Sequence, residues 1–314
     1  NGERGYRFTI QVKRKRCAVA DVPGARVSLR EARWPLMIQV KSFPKRYSMN
    51  LSGHDTTGQS LRKPRLGIIG GSGMCSFPEL KVISRLRPET KYGFPSDEIA
   101  ICEHDGQLVA FLPRHGSKHM LAPHKVPYKA NLAALKEIGV EFIIGTCIVG
   151  SLKKEIAPGS LVIPDQFVNL TCGRDDYSEV DGGSFIHLPM GEPYCRHLRK
   201  KITEQSVVTQ TAMIPQGTVA VIQGPRFSTI AESRWLSANG WDIVNMTQYP
   251  ECYFARELGL CYAAIAAVTD YDVGLQESLV IDPCQMDKIL EVFRGNVQKT
   301  KDFLLAFIKQ QSPG

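Results

Sequence analysis

The sequence predicts an α/β protein built on a mixed, largely parallel central sheet flanked by helices on both faces. Three observations predict it. From residue 64 onward, short apolar runs bounded by Gly, Pro or polar residues alternate with segments of helical period. One run, LCYAAIAAVTDYD at 260–272, opens with nine nearly all small or apolar residues free of charge, Gly and Pro, the pattern of a strand buried on both faces. Several runs also end in residues that carry chemistry, at the carboxyl edge where open sheets of this class bind ligands.

Taken in order, RLGIIGGSGM at 65–74 reads as a strand running into a Gly-rich turn that carries Ser72, a place where backbone N–H groups can approach an anion. It has neither the G-x-G-x-x-G register nor a Gly-Lys-Ser/Thr, so it is not a dinucleotide loop or a P-loop. LVAFLPRHG at 108–116 is a strand ending in Arg114 and His115, and Arg there suits bidentate capture of an oxyanion. His115, His119 and His124 could be read as a metal cluster, but no acidic ligand accompanies them and Pro123 interrupts any helix between them. Residues 128–138 have helical period with Gly139 as a stop. EFIIGTCIVGSL at 141–152 is a strand, and IAPGSLVIPDQFV at 156–168 follows it.

A helix after Pro193 leads to a strand in GTVAVIQGPRFS at 217–228, which delivers Phe227. Residues 229–239 read as helix, 242–251 as strand then turn, and 252–259 as helix capped by Gly259. The buried strand at 260–272 then ends in Thr269, Asp270 and Asp272, with the acids at i and i+2 on one side of an extended chain. Residues 286–309 form a last amphipathic helix.

Of the 314 residues, 43% are apolar and 22% charged, an ordinary globular composition. The net charge of +8 invites a nucleic-acid reading until it is located: residues 1–63 hold 14 Lys and Arg against 4 Asp and Glu, and the remainder holds 25 against 27. The basicity therefore belongs to an N-terminal extension of residues 1–63, expected to take no part in the chemistry and to hold a plausible true start at Met49, while 64–314 form the working domain. No nucleic acid and no membrane is expected, since no apolar run approaches the ~20 residues of a span. Nine cysteines without a C-x-x-C pair argue for a reducing compartment and against a disulfide framework.

Together the strand ends offer hydroxyls (Ser72, Thr247), a cation (Arg114), imidazoles (His115, His119), an aromatic (Phe227) and an acid pair (Asp270, Asp272), a set suited to a reaction with phosphate as nucleophile and an acid protonating a leaving group. The motifs GIIGGSG, LPRHG, PHKVPYKANLAALK, VGSLKKEIAPG, VIPDQF, QGPRFST, VNMTQYPE and AIAAVTDYD resemble those of the 5′-methylthioadenosine phosphorylases, members of the trimeric purine nucleoside phosphorylases, across about residues 64–309.

That resemblance implies a purine nucleoside phosphorylase-like fold and a homotrimer. It implies no cofactor and no metal, phosphate being a co-substrate. The expected reaction is the phosphorolysis of methylthioadenosine in the cytoplasm and nucleus. It further implies that Ser72, Arg114, His115, Cys147, Ile148 and Thr247 hold phosphate, that Met246 lies under the ribose and Phe227 on the base, and that Asp270 faces N7 and Asp272 the 6-amino group. His119, His187, Met286 and Ile289 would lie toward the 5′ substituent.

The chain departs from the family pattern at Cys147 and Ile148, where Ser or Thr and then Ala are usual, at Pro127 for Asn, and at Leu170 for Arg. Two other readings compete: a 6-oxopurine or methylthioinosine phosphorylase, which would carry Asn at the base-reading position, and a catalytically silent nucleoside-binding homologue.

Overall fold

The computed structural model describes residues 63–176, 187–275 and 283–310, and for 283–286 the backbone alone. The N-terminal extension thus lies outside the described residues, apart from Lys63. In chain order the elements are β1 (Leu66–Gly70), β2 (Lys81–Leu86), β3 (Ile99–His104), β4 (Gln107–Pro113), α1 (Tyr128–Glu137), β5 (Phe142–Ser151), β6 (Leu161–Val162), β7 (Gln166–Leu170), α2 (Arg196–Val208), β8 (Met213–Ile214), β9 (Thr218–Ile222), α3 (Ile230–Ala238), β10 (Ile243–Asn245), α4 (Gln248–Glu257), β11 (Cys261–Tyr271) and α5 (Pro283–Gln310).

All eleven strands join one sheet, in the order β2-β3-β4-β1-β5-β10-β9-β7, with β11 branching from β5 and carrying β6 and β8. Strand β5 is the branch point. Its first residues pair in parallel with both β1 and β11, and its last two pair antiparallel with β10. The sheet is mixed because the β2-β3-β4 meander is antiparallel while β1 pairs with β4 and β5 in parallel, as the sequence predicts for the larger part.

The predicted double burial of β11 holds residue by residue. Cys261, Ala263, Ile265 and Ala267 enter a cluster shared with Leu198 and Ile202 of α2 and Phe303 and Phe307 of α5. Tyr262 and Ala264 point to the other face, into a cluster with Leu132 and Leu135 of α1 and Phe254 of α4. A strand whose alternate residues are both wrapped by helices needs apolar side chains at every position, which is why this stretch has no polar alternation. Two features depart from the sequence reading. A disulfide joins Cys195, at the start of α2, to Cys261, with Cα atoms 5.2 Å apart, where the cysteine pattern had argued for free thiols. And α4 is kinked at its start, where Tyr249 is extended (φ −112°, ψ 134°), so its regular turns run from Pro250, two residues ahead of the predicted start.

Candidate active site

The chemistry-bearing residues gather where β1, β4, β5, β10 and β11 end. Gly70 pairs with Pro113, and Arg114 N donates to Gly70 O at 2.8 Å, so the Gly-rich turn and the LPRHG run leave the sheet side by side. Arg114 is completely buried. Its Nε and Nη2 meet Glu251 Oε2 and Oε1 at 2.6 and 2.7 Å, and its Nη1 donates to Thr146 O at 2.7 Å. Three of the five guanidinium N–H donors thereby meet partners, leaving one on each Nη without a partner among the described residues. Burial alone would lower its pKa, but the Glu251 carboxylate raises it and keeps the cation.

Two glycines permit this packing. A Cβ on Gly71 would lie 2.4 Å from Thr146 O and 2.8 Å from Arg114 Nη1, and one on Gly145 would lie 2.2 Å from Tyr262 Oη and 3.1 Å from Glu251 Oε1. Thr146 Oγ1 accepts from Gly71 N at 3.1 Å, which fixes the turn just before Ser72. Ser72 itself is half-buried.

His115 is buried, with Nδ1 2.7 Å from Leu121 O and its ring 4.7 Å from that of His119. Since a carbonyl only accepts, Nδ1 carries the proton and Nε2 of the neutral ring is left as an acceptor. Burial, with the Arg114 charge added, brings the imidazole down to about 4, so it is neutral at pH 7. Exposed His119 lies 3.5 Å from the Cys75 thiol, and the three histidines do not converge: among the described residues no group of three His, Cys, Asp or Glu could hold a metal ion.

Cys147 lies in an apolar cluster with Val149, Val162 and Val221, its Sγ 3.5 Å from Gln248 Nε2. Burial pushes its thiol up to about 12 against the pull of Arg114, so it stays protonated. Half-buried Ile148 packs toward the β11–α5 core, and its carbonyl accepts from Asn245 Nδ2 at 3.3 Å. Asn245 Oδ1 in turn receives Thr247 N at 2.6 Å and Gln248 N at 2.8 Å, holding buried Thr247 at the start of α4.

On the other side of β5, the β11 ladder slips one residue at Thr269: Val268 pairs with Val149 and Asp270 with Gly150. Such a bulge re-aims the side chains beyond it. Asp272 N still donates to Ser151 O at 2.8 Å, so extended pairing persists through both acids. Thr269 Oγ1 donates to Asp270 Oδ1 at 2.7 Å. Burial raises the Asp270 pKa, the Thr269 hydroxyl opposes it, and the neighbouring Asp272 adds to the rise. Asp272 is buried and its Oδ2 has no partner among the described residues. A buried acceptor left unpaired costs about 1–3 kcal/mol, so a donor from outside the chain has a place waiting there.

Residues 65–309 match the family described as the phosphorylase superfamily. The chain is 49% identical over 213 residues to an S-methyl-5′-thioadenosine phosphorylase of Mycolicibacterium smegmatis, covering 67% of this chain and 78% of that one. It is 40% identical to a purine nucleoside phosphorylase of Streptomyces coelicolor, covering 77% and 87%. A mutant adenosine/methylthioadenosine phosphorylase of Schistosoma mansoni, solved with methylthioadenosine, superposes with a TM-score of 0.71 at 34% identity over 79% of this chain and 92% of that one. The chain belongs to the phosphorylase superfamily. The family resemblance and the fold class read from its motifs are thereby borne out.

The remaining expected residues of this phosphorylase are less gathered. Phe227 is 82% exposed beyond the Gly224–Pro225 turn, and His187 is also exposed. Met246 is half-buried, and a Cβ on Gly224 would lie 2.5 Å from its Sδ. Ile289 is half-buried on α5; the side chain of Met286 lies outside the described residues.

The sequence reading missed Glu251, taken as part of a turn, and Arg174. Buried Arg174 donates to the carbonyls of Tyr249, Gln223 and Met246 at 2.5, 3.0 and 2.8 Å, tying the end of β9 to the residues that follow β10. The signal for Glu251 was an acid inside an otherwise uncharged stretch, VNMTQYPE.

Proposed function

We propose that the chain cleaves 5′-methylthioadenosine with inorganic phosphate, giving adenine and 5-methylthioribose 1-phosphate. Breaking the N-glycosidic bond puts positive charge on the ribosyl ring and negative charge on the purine, so a phosphate near C1′ and a proton donor at N7 act where charge develops. On the phosphate side stand Ser72, Thr247, the remaining N–H groups of Arg114 and the neutral His115, whose Nε2 would accept from the O–H of hydrogen phosphate, with Cys147 and Ile148 in the strand beneath. On the base side, Asp270, whose pKa burial raises, accepts from Thr269 at Oδ1, so the proton it carries when protonated sits on Oδ2 for N7, and Asp272 accepts from the 6-amino group. Met246 would face the ribose and Phe227 the ring, with His119, His187, Met286 and Ile289 toward the methylthio group. No cofactor or metal enters this chemistry.

The observation that carries the proposal is the Asp270–Asp272 pair, one carboxyl with its pKa raised by burial and the other with a buried, partnerless oxygen. A half-buried Asp270 beside a buried Asp272 fits an adenine edge, which offers an acceptor at N7 beside an N–H donor at position 6. The Streptomyces coelicolor relative is the specific observation for a 6-oxopurine reading. Asp272 speaks against it, because O6 would face a carboxylate.

We further propose a homotrimer. In support, the groove of about 600 Å³ that borders the same turn as Phe227 sets Leu170, Ile222, half-exposed Trp235 and Leu236 beside polar Thr171, Gln223, Arg226 and Glu232, a mixed surface suited to cover by another copy. The working domain is proposed to start near residue 64. A role in purine and methionine salvage, in the cytoplasm and nucleus, goes with this proposal.

Release of free base from methylthioadenosine, adenosine and inosine, each with and without phosphate, tests it. Phosphate-dependent release of adenine, fastest from methylthioadenosine, is expected. Phosphate-independent release, or inosine cleaved as fast as adenosine, would overturn it.

A further inference from the structure

Phosphate capture needs Arg114 to present its two free N–H groups in a fixed direction, and four residues from three distant parts of the chain act on that guanidinium. Glu251 grips Nε and Nη2 through a two-bond fork, with both side chains wholly buried. Tyr262 Oη donates to Glu251 Oε1 at 2.7 Å, so the carboxylate is itself held in place. Gly145 leaves the space that the Tyr262 hydroxyl occupies, and the Thr146 carbonyl holds Nη1 from the opposite side.

We propose that Glu251, held by Tyr262, is the positioning residue of the phosphate site. It acts through Arg114 and does not itself touch substrate. The inference rests on the phosphorylase function proposed above. A fork of two short, charge-assisted bonds fixes the plane of a guanidinium as a single bond cannot, and a nucleophile misplaced by about 1 Å can cost on the order of 100-fold in rate. Glu251 also opposes anion binding, because its own negative charge offsets that of Arg114. The two effects have opposite signs in experiment. If geometry dominates, weakening the fork impairs the use of phosphate; if charge dominates, removing the carboxylate tightens phosphate binding.

The test is steady-state kinetics on Glu251→Gln, Glu251→Asp, Tyr262→Phe and Gly145→Ala, with phosphate varied at saturating methylthioadenosine and the reverse. In Glu251→Gln an amide N–H would confront a guanidinium N–H, so kcat/KM for phosphate should fall by about tenfold or more, the equivalent of one charge-assisted hydrogen bond. Tyr262→Phe and Gly145→Ala should give smaller falls of the same kind, and Glu251→Asp should recover part of the Gln loss. The KM for methylthioadenosine should stay within about twofold throughout, a split that a general loss of structure would not produce. Because buried Arg114 without its counter-charge risks destabilising the fold, Tyr262→Phe, which keeps the ion pair, decides the matter if Glu251→Gln does not fold. Phosphate kinetics unchanged or improved in Tyr262→Phe, or equal losses for both substrates across the set, would overturn the assignment. A parent enzyme that turns over without phosphate would instead overturn the functional proposal beneath it.

Discussion

Replacing Asp272 by Asn exchanges a buried acceptor for a group that can turn either an oxygen or an NH₂ toward position 6 of the purine. In the parent, Asp272 Oδ2 is buried without a partner while Asp270 bonds to Thr269, so the edge that reads position 6 is an acceptor alone. The 6-amino group of adenine satisfies it. The O6 of inosine would place two acceptors together in a desolvated pocket, costing about 1–3 kcal/mol or more, which is roughly 5- to 150-fold in kcat/KM. The parent should therefore prefer adenosine over inosine by at least the lower figure, and Asp272→Asn should bring the two substrates closer.

The same substitution has a second readout. Activity needs protonated Asp270, so kcat/KM should hold at low pH and fall as pH rises through its raised pKa. Burial is the larger cause of that rise and Asp272 the smaller one, so Asp272→Asn should move the alkaline fall modestly toward lower pH. The linkage to stability has the same sense. A carboxyl whose pKa is raised on folding contributes stability that is full below its unfolded pKa and is lost as pH climbs through the folded one. Asp270→Ala should lower turnover of every substrate by roughly 10²- to 10⁴-fold, the usual effect of losing a general acid. An Asp272→Asn enzyme with unaltered adenosine-to-inosine preference would refute the base assignment. A rate that rises with pH, or an active Asp270→Ala, would refute the proton donor.

Cys147→Thr puts a hydroxyl where a protonated thiol now meets Gln248, and if the hydroxyl reaches phosphate its KM should fall by an amount near 1 kcal/mol; unchanged phosphate saturation would mean that this side chain serves only packing. Cys195→Ala should lower stability by about 4 kcal/mol by the chain-entropy estimate for a loop of 66 residues, with a smaller effect on KM, as read by denaturant unfolding with and without reductant. Deleting residues 1–60 should leave turnover and assembly unaltered in kinetics and light scattering, and loss of the oligomer would move the domain boundary.

What could be read from the sequence was what local pattern encodes. The β11 run, the Gly-rich turn and LPRHG are apolar stretches with abrupt polar ends, and each folds as expected because burial on both sheet faces leaves no other composition workable. The β2–β3 hairpin was passed over because β2, KVISRL, is exposed along almost its whole length and shows no one-sided alternation. The start of α4 was misplaced because Pro250 suggests a turn. Tyr249 is indeed extended, at φ −112° and ψ 134°, so the regular turns of α4 start at Pro250, and Asn245 Oδ1 holds the N–H groups of Thr247 and Gln248 in the turn before it. The disulfide and the Arg114–Glu251 fork join residues 66 and 137 apart, and no local pattern carries such a pairing.

The bulge at Thr269 explains why the site lies where it does. Strands β1 and β11 both run parallel to β5 along its first residues, so their carboxyl ends emerge on either side of it. The Arg114 backbone leaves the sheet beside β1 through Gly70, its guanidinium reaches the Thr146 carbonyl of β5, and the acids follow from the end of β11. Phosphorolysis moves negative charge from the phosphate to the departing purine, so it needs an anion holder and a proton donor on opposite sides of the sugar, not a single cluster. The Val268 carbonyl just before the bulge accepts from Gly159 N at 2.8 Å and from the buried Asn296 Nδ2 of α5 at 2.7 Å, so the slipped segment is pinned from two elements. The placement of Asp270 therefore depends on α5, through Asn296, as well as on its own strand.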